Sequence, residues 1–377
     1  MKDIEKTSLA RCGISELLAY VPGKPAEEVK EEYGLTEIIK LASNENPLGT
    51  SPKAIEAMRQ EVFNINLYPE GSSRLLRQKI AENFKIDEDM VILSNGADNV
   101  LTLIGQAYIN EGDEVITGEP TFAAYEIATR IMGGNIIKVP LSNFTFNLTA
   151  IAERISPKTK IIFICNPNNP TGTIVTDAEI KNFLKKVPDD CIVVFDEAYA
   201  EYVTEKDFPQ TISYIREGKN VILVRTFSKI YGLAGIRVGY AIGPKRLIDM
   251  LRKVVEPFST NKLAQTGALA ALEDHNFINT VLETNKKGKQ YLNYEFLKLG
   301  MSCCPSHTNF LFVNLNMDAQ LVFQRLLEKG IIIRPGGLWK LPQFARVTIG
   351  TMDQNKKLIE SLICILKEIK WANRLIS

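Results

Sequence analysis

The chain predicts an α/β fold: a large domain on a mostly parallel sheet flanked by helices, then a smaller α+β domain. Three observations carry this. Short apolar runs rich in Ile and Val alternate with longer amphipathic stretches through the middle of the chain. Near Asn276 the texture changes to a long charged helical pattern. A length of 377 residues, 45% apolar and 24% charged, allows two or three domain-sized units rather than one compact module.

Residues 1–40 are polar and carry Pro22 and Pro25, which reads as an N-terminal arm that packs on the small domain or a partner. Residues 41–275 form the expected large domain. Its strands are Met90–Leu93, Glu114–Thr117, Ile161–Cys165, Cys191–Phe195 and Val221–Val224, runs suited to burial on both faces. Helical patterns lie between them at Asp98–Ile109 and Asp177–Lys186, the second capped by Thr176. Residues 276–377 form the small domain. It holds a helix at Asn276–Leu299, a strand at Phe310–Val313, a helix at Ala319–Lys329, short strands at Ile331–Ile333 and Val347–Ile349, and a last helix near Gln354–Ile369. No obvious linker, internal repeat or low-complexity tract interrupts the chain.

Composition excludes several classes. Lys plus Arg number 45 against 44 Asp plus Glu, a formal charge of +1, so no fold-wide field favours nucleic acid or an anionic membrane. The two histidines, His275 and His307, are far apart, and no metal site is expected. Six cysteines make no CxxC pair, and Cys165 and Cys191 sit in apolar runs, as small hydrophobes of a reducing compartment do. The N-terminus has no apolar signal stretch, and no run reaches the roughly 18 apolar residues of a membrane span. A cytoplasmic protein is expected.

In open α/β sheets ligands sit beyond the carboxyl ends of the strands. Four apolar runs are followed by informative residues. Ser94-Asn95-Gly96-Ala97-Asp98 opens a helix with small residues, an anion seat that lacks both Rossmann and P-loop spacing. Asn166-Pro167-Asn168-Asn169-Pro170-Thr171-Gly172 combines prolines with amide donors, a loop constrained enough to favour a cis Asn169–Pro170 bond. Asp196-Glu197-Ala198-Tyr199 ends a buried run in a carboxylate that needs a cation or donor opposite. Arg225-Thr226-Phe227-Ser228-Lys229 is followed by Gly232, Gly235, Arg237 and Gly239. A lysine nucleophile, a lone carboxylate, amide and phenol donors, and a phosphate seat of hydroxyls, Arg and a helix N-terminus are what pyridoxal phosphate requires.

The string Thr226-Phe-Ser-Lys-Ile-Tyr-Gly-Leu-Ala-Gly-Ile-Arg-Val-Gly-Tyr240 resembles the lysine motif of fold-type I aminotransferases. With Leu41-Ala-Ser-Asn-Glu-Asn-Pro-Leu-Gly49 and Tyr20-Val-Pro-Gly-Lys-Pro25, the chain resembles the histidinol-phosphate aminotransferase family from about Tyr20 to Gly350. The resemblance implies that Lys229 binds pyridoxal 5'-phosphate as a Schiff base and then moves a proton as base and acid. It implies that Asp196 keeps the ring nitrogen protonated, and that Asn169 and Tyr199 bond the phenolate oxygen. Phe122 would stack on the ring. Ala97, Asp98, Thr226, Ser228 and Arg237 would seat the phosphate. Tyr68 would reach it from the neighbouring subunit of a homodimer with shared active sites.

At the substrate end the resemblance points to Tyr20, Asn44, Arg334 and Arg346, arginine being suited to bidentate capture of phosphate or carboxylate. It implies transamination of L-histidinol phosphate with 2-oxoglutarate, in histidine biosynthesis. Phenylalanine or tyrosine transamination is the alternative. A decarboxylase of a phosphorylated amino acid and a non-catalytic cofactor-binding regulator are further readings. The chain departs from the family at Asn99, where Glu is usual, at Val255, where a basic residue is common, and at Ser259, where Asn is. If that basic residue helps to bind substrate phosphate, Val255 favours the aromatic reading.

Overall fold

A computed structural model describes residues 23–376, together with Ile14 and Leu17. Its strands run, in chain order, β1 (Ile39–Lys40), β2 (Val91–Ser94), β3 (Glu114–Glu119), β4 (Asn135–Pro140), β5 (Thr159–Cys165), β6 (Ile192–Asp196) and β7 (Val221–Thr226). They continue with β8 (Gly239–Ile242), β9 (Ser302–Cys303), β10 (Phe310–Asn314), β11 (Ile331–Ile332), β12 (Arg334–Pro335) and β13 (Phe344–Thr348).

Seven strands form the main sheet in the order β2-β8-β7-β6-β5-β3-β4. Pairing is parallel from β7 through β4, and β8 runs antiparallel to both β2 and β7. The central strands β5 and β6 are almost wholly buried on both faces, as their continuous apolar runs require. Two strands of the main sheet go beyond those expected from the sequence. β4 is an edge strand with polar residues among its apolar ones, and β8 lies inside the glycine-rich stretch after Lys229. The chain turns back into β8 at Arg237, which takes a left-handed φ of 57°.

The helix Asp177–Leu184 starts with a full capping box: Thr176 accepts from the Glu179 backbone and Glu179 accepts from the Thr176 backbone. The loop after β5 contains cis bonds at both Asn166–Pro167 and Asn169–Pro170.

A second apolar cluster joins Leu311 and Val313 of β10, Ala345 and Val347 of β13, Leu326, Leu358 and Leu362. The order β12-β13-β10-β9 makes an antiparallel sheet there. The long helix His275–Lys298 serves both units, with Val281 in the core of the main sheet and Leu292 and Phe296 in the second cluster. At the N-terminal side, Val29 of the helix Ala26–Tyr33 packs with Leu327 and Ile332, and β1 pairs parallel to β11. Two strand positions differ from expectation. Arg334 starts its own short strand, and Arg346 sits in the middle of β13 rather than at the start of a strand. Residues 331–335 bend between two sheets, which periodicity over so short a stretch cannot register.

Candidate active site

The parallel strands β5, β6 and β7 end together, and their ends and following loops bring Asn169, Asp196, Tyr199 and Lys229 to one rim. Asp196 is the last residue of β6 and is only 3% exposed. Tyr125 donates to its Oδ2 at 2.7 Å, and the Ala198 N–H donates to Oδ1 at 3.1 Å. Burial nevertheless pushes its pKa up to about 6, the two donors opposing the rise. Glu197, next in the chain, is bound elsewhere, since Arg225 Nε donates to it at 3.0 Å and Thr211 bonds it from the other side.

Lys229 follows β7. Its Nζ donates to the Ser43 carbonyl at 3.3 Å and lies 5.7 Å from the Tyr199 ring centroid. Burial lowers its pKa to about 8, helped by the Arg346 charge and opposed by Asp98 and Glu45. An amine in that condition is neutral often enough near physiological pH to act as nucleophile and base.

The segment Leu41–Gly49 crosses from the second unit into this rim. Asn46 Nδ2 donates to the Ile230 carbonyl at 2.8 Å, and Thr50 Oγ1 to that of Gly232 at 2.7 Å. A Cβ at Gly232 would fall 2.0 Å from the Gly49 carbonyl oxygen, so this close approach demands glycine. Asn44 is buried with a left-handed φ of 55°. Its Nδ2 donates to Tyr199 Oη at 2.9 Å, while Thr348 Oγ1 donates to its Oδ1 at 3.1 Å. Tyr199 Oη thus accepts from Asn44 and keeps its own proton to give.

The three asparagines after β5 divide their roles. Asn166 closes the loop on Val175, and Asn168 bonds Pro120, Thr121 and Thr171. Asn169 accepts at Oδ1 from Arg346 Nη1 at 2.6 Å, leaving its amide nitrogen as a donor. Arg346 Nη2 donates to the Ala42 carbonyl at 2.6 Å. Arg334 and Arg346 are directly opposed on β12 and β13, a register that puts both side chains on one face of the sheet.

Beside Lys229 the helix Ala97–Tyr108 begins after Gly96, and the first N–H groups of any helix have no intrahelical acceptor. Arg237 Nη2 meets Asp98 Oδ2 there at 3.4 Å. A Cβ at Gly96 would lie 2.7 Å from Arg237 Nη2, and one at Gly239 would lie 2.4 Å from the Ala97 nitrogen. Thr226 Oγ1 accepts from the Ser228 N–H at 3.1 Å. Helix N–H groups, two hydroxyls and a guanidinium, kept close by glycines, make an anion seat. A buried carboxylate that still needs a cation, an adjacent neutral-leaning lysine and this seat fit a phosphorylated pyridine aldehyde.

Phe122 follows β3 and stands edge-on to Tyr125 at 5.9 Å. Tyr68 is 80% exposed and stacks on Phe258 at 4.5 Å. Tyr20 lies outside the described residues. Sequence reasoning missed Tyr125, Ser43, Thr348 and Asn309, whose Nδ2 donates to the Asn44 carbonyl at 3.0 Å. For Tyr125 a signal existed: a polar-tipped aromatic on the inward face of the helix Ala124–Ile131 needs a partner when buried.

Residues 36–362 match the family model of aminotransferase class I and II. The chain is 47% identical over 357 residues to the histidinol-phosphate aminotransferase of Moorella thermoacetica, covering 94% of this chain and 92% of that protein. It is 45% identical to that of Brevibacillus brevis, over 93% of this chain and 95% of the relative. Among solved structures, histidinol-phosphate aminotransferase from Sinorhizobium meliloti, in complex with pyridoxal-5'-phosphate, superposes with a TM-score of 0.89. It is 24% identical and covers 97% of this chain and 99% of that one. With its fold-type I architecture and its fitting donor set, the chain belongs to the class I and II aminotransferases and is a pyridoxal 5'-phosphate enzyme.

Proposed function

We propose that the chain transfers the amino group of L-histidinol phosphate to 2-oxoglutarate, giving imidazole acetol phosphate and L-glutamate, a step of histidine biosynthesis. One observation carries the substrate end: Arg334 and Arg346 stand opposed in register, and Arg346 is bonded to Asn169 of the lysine rim. Two guanidinium groups beside the amine-handling lysine suit a donor with a phosphate and an acceptor with two carboxylates. The shared name of the curated relatives supports the same choice.

Bound pyridoxal 5'-phosphate supplies an electron-accepting ring that stabilises negative charge at the substrate Cα. The chain's own residues do the rest. Asp196, held by Tyr125 and Ala198, would keep a proton on the ring nitrogen, since its buried charge gains most from a cation opposite. Tyr199, supplied by Asn44, would donate to the phenolate oxygen, and the Asn169 amide would do the same. Phe122 would cover the ring. Ala97, Asp98, Thr226, Ser228 and Arg237 would hold the phosphate, Asp98 through its backbone N–H while its carboxylate steadies Arg237. Lys229 Nζ would move the proton to and from Cα.

A homodimer with shared sites belongs to this reading. Phe63, Ile65, Leu67 and Tyr68 form a run of exposed apolar side chains, with Phe63 84% exposed, the kind of surface that a second copy covers. Tyr68 would then reach the neighbouring phosphate seat. We place the protein in the cytoplasm, where thiols such as the unpaired Cys165, Cys191, Cys303, Cys304 and Cys364 stay reduced. No helix among the described residues is long and apolar enough to cross a membrane.

The test follows the visible absorbance of the loaded enzyme during titration with L-histidinol phosphate and then with phenylalanine. Bleaching at much lower concentration of the phosphorylated amine is expected. Preference for phenylalanine would move the enzyme to aromatic substrates, the second reading, and make Val255 the first residue to examine. Carbon dioxide released in place of an oxo product would identify a decarboxylase.

A further inference from the structure

Aromatic rings gather around Arg346. Its guanidinium carbon lies 5.5 Å from the Phe310 ring centroid and 5.6 Å from that of Trp339. Phe310 comes from β10, the strand beside β13, and Trp339 from the short turn Gly336–Trp339 that joins the two arginine strands. That turn has little freedom. A Cβ at Gly336 would fall 2.4 Å from the Leu341 carbonyl oxygen and 2.6 Å from that of Phe344. The Leu341 N–H donates to the Gly336 carbonyl at 3.1 Å, and Lys340 takes a left-handed φ of 59°. Trp339 also meets Phe312 edge-on at 5.8 Å, and Phe312 stacks on Phe344 at 4.9 Å.

The hydrogen bonds from Nη1 to Asn169 and from Nη2 to Ala42 fix where the guanidinium edge points, and tilt of its plane about that edge is the motion these two bonds oppose least. Rings near the cation restrict that tilt and hold water away, and a cation–π contact strengthens as the pair is desolvated. We propose that Trp339 is a positioning residue for substrate anions. Seated on Phe312 and working with Phe310, its ring holds the Arg346 guanidinium in the orientation that captures carboxylate or phosphate. The proposal rests on the reading of Arg346 as an anion-binding residue.

The test uses the loaded, full-length enzyme with Trp339→Leu, Trp339→Phe and Arg346→Lys. For Trp339→Leu the KM for 2-oxoglutarate is expected to rise about 2- to 30-fold, the range of such contacts, with kcat little changed. Trp339→Phe keeps a π face and should stay close to wild type. Single-turnover reaction with L-histidinol, which bears an alcohol in place of the phosphate, should not change, because it offers Arg346 no anion. If Trp339→Leu does not fold, Trp339→Met, which keeps bulk without a π face, carries the same test. Equal losses toward 2-oxoglutarate and L-histidinol would mark a merely structural residue and overturn the proposal, as would an unchanged KM. A KM raised by Arg346→Lys but not by loss of the Trp339 ring would overturn this inference alone. An Arg346→Lys enzyme with wild-type KM would overturn the anion-binding reading and the inference with it.

Discussion

Replacing Tyr125 with Phe removes one oxygen and leaves the packing. The ring still stacks on Phe163, 4.8 Å away and tilted by 10°. What disappears is the 2.7 Å hydrogen bond to Asp196 Oδ2. A hydrogen bond to a charged group is worth about 1.5–3 kcal/mol, and 1.36 kcal/mol is one pKa unit. Losing a donor that favours the ionised form therefore raises the Asp196 pKa by roughly one to two units. Starting from about 6, it reaches roughly 7 to 8, so at neutral pH the carboxyl is half or more protonated. A neutral carboxyl is no counter-ion for a protonated ring nitrogen. In the apoenzyme the acidic limb of the cofactor-affinity profile is expected to move to higher pH by roughly one to two units, with a roughly twofold to tenfold loss of affinity at pH 7. Equilibrium titration of the apoenzyme with cofactor across pH measures both. A variant whose acidic limb and cofactor affinity both match wild type would refute the reasoning.

Lys229→Ala should fold normally, lose turnover and lose the covalent link to the cofactor; retained turnover would overturn the assignment of the catalytic lysine. In the wild-type apoenzyme, only the neutral amine of Lys229 attacks a carbonyl, and burial together with Arg346 holds its pKa to about 8. The second-order rate of cofactor capture should therefore rise with pH and level off above about 8, and a rate flat from pH 6 to 9 contradicts this. Phe63→Glu puts a charge in the exposed apolar run and should turn a sedimenting dimer into an inactive monomer. A wild-type monomer with full activity would refute the shared-site reading.

Local chemistry was legible in the chain. Runs such as Ile161–Cys165 and Cys191–Phe195 read as buried strands because each carries the same signal over its whole length, and β5 and β6 overlap them. Thr176 announced a helix start, and the structure completes it as a capping box with Glu179. The edge strand β4 escaped because half-polar residues give no clean period. β8 escaped because its direction depends on a chain reversal at Arg237, a residue type not expected in the left-handed region. Arg346 could be singled out by type, yet its place in mid-strand, opposite Arg334, is a matter of register across a sheet.

The sequence by itself determined the class of fold, the strand-end loops and the inventory of reactive groups, all properties of residues close together in the chain. Tertiary structure decided which groups meet. Tyr125 reaches Asp196 across 71 residues, Asn44 reaches Tyr199 across 155, and Arg346 reaches Asn169 across 177. Such pairs follow from strand order and from the crossing of the Leu41–Gly49 segment, and neither leaves a mark in local periodicity. The burial that shifts Asp196 up and Lys229 down arises in the same way, because a side chain loses water only when distant segments close over it.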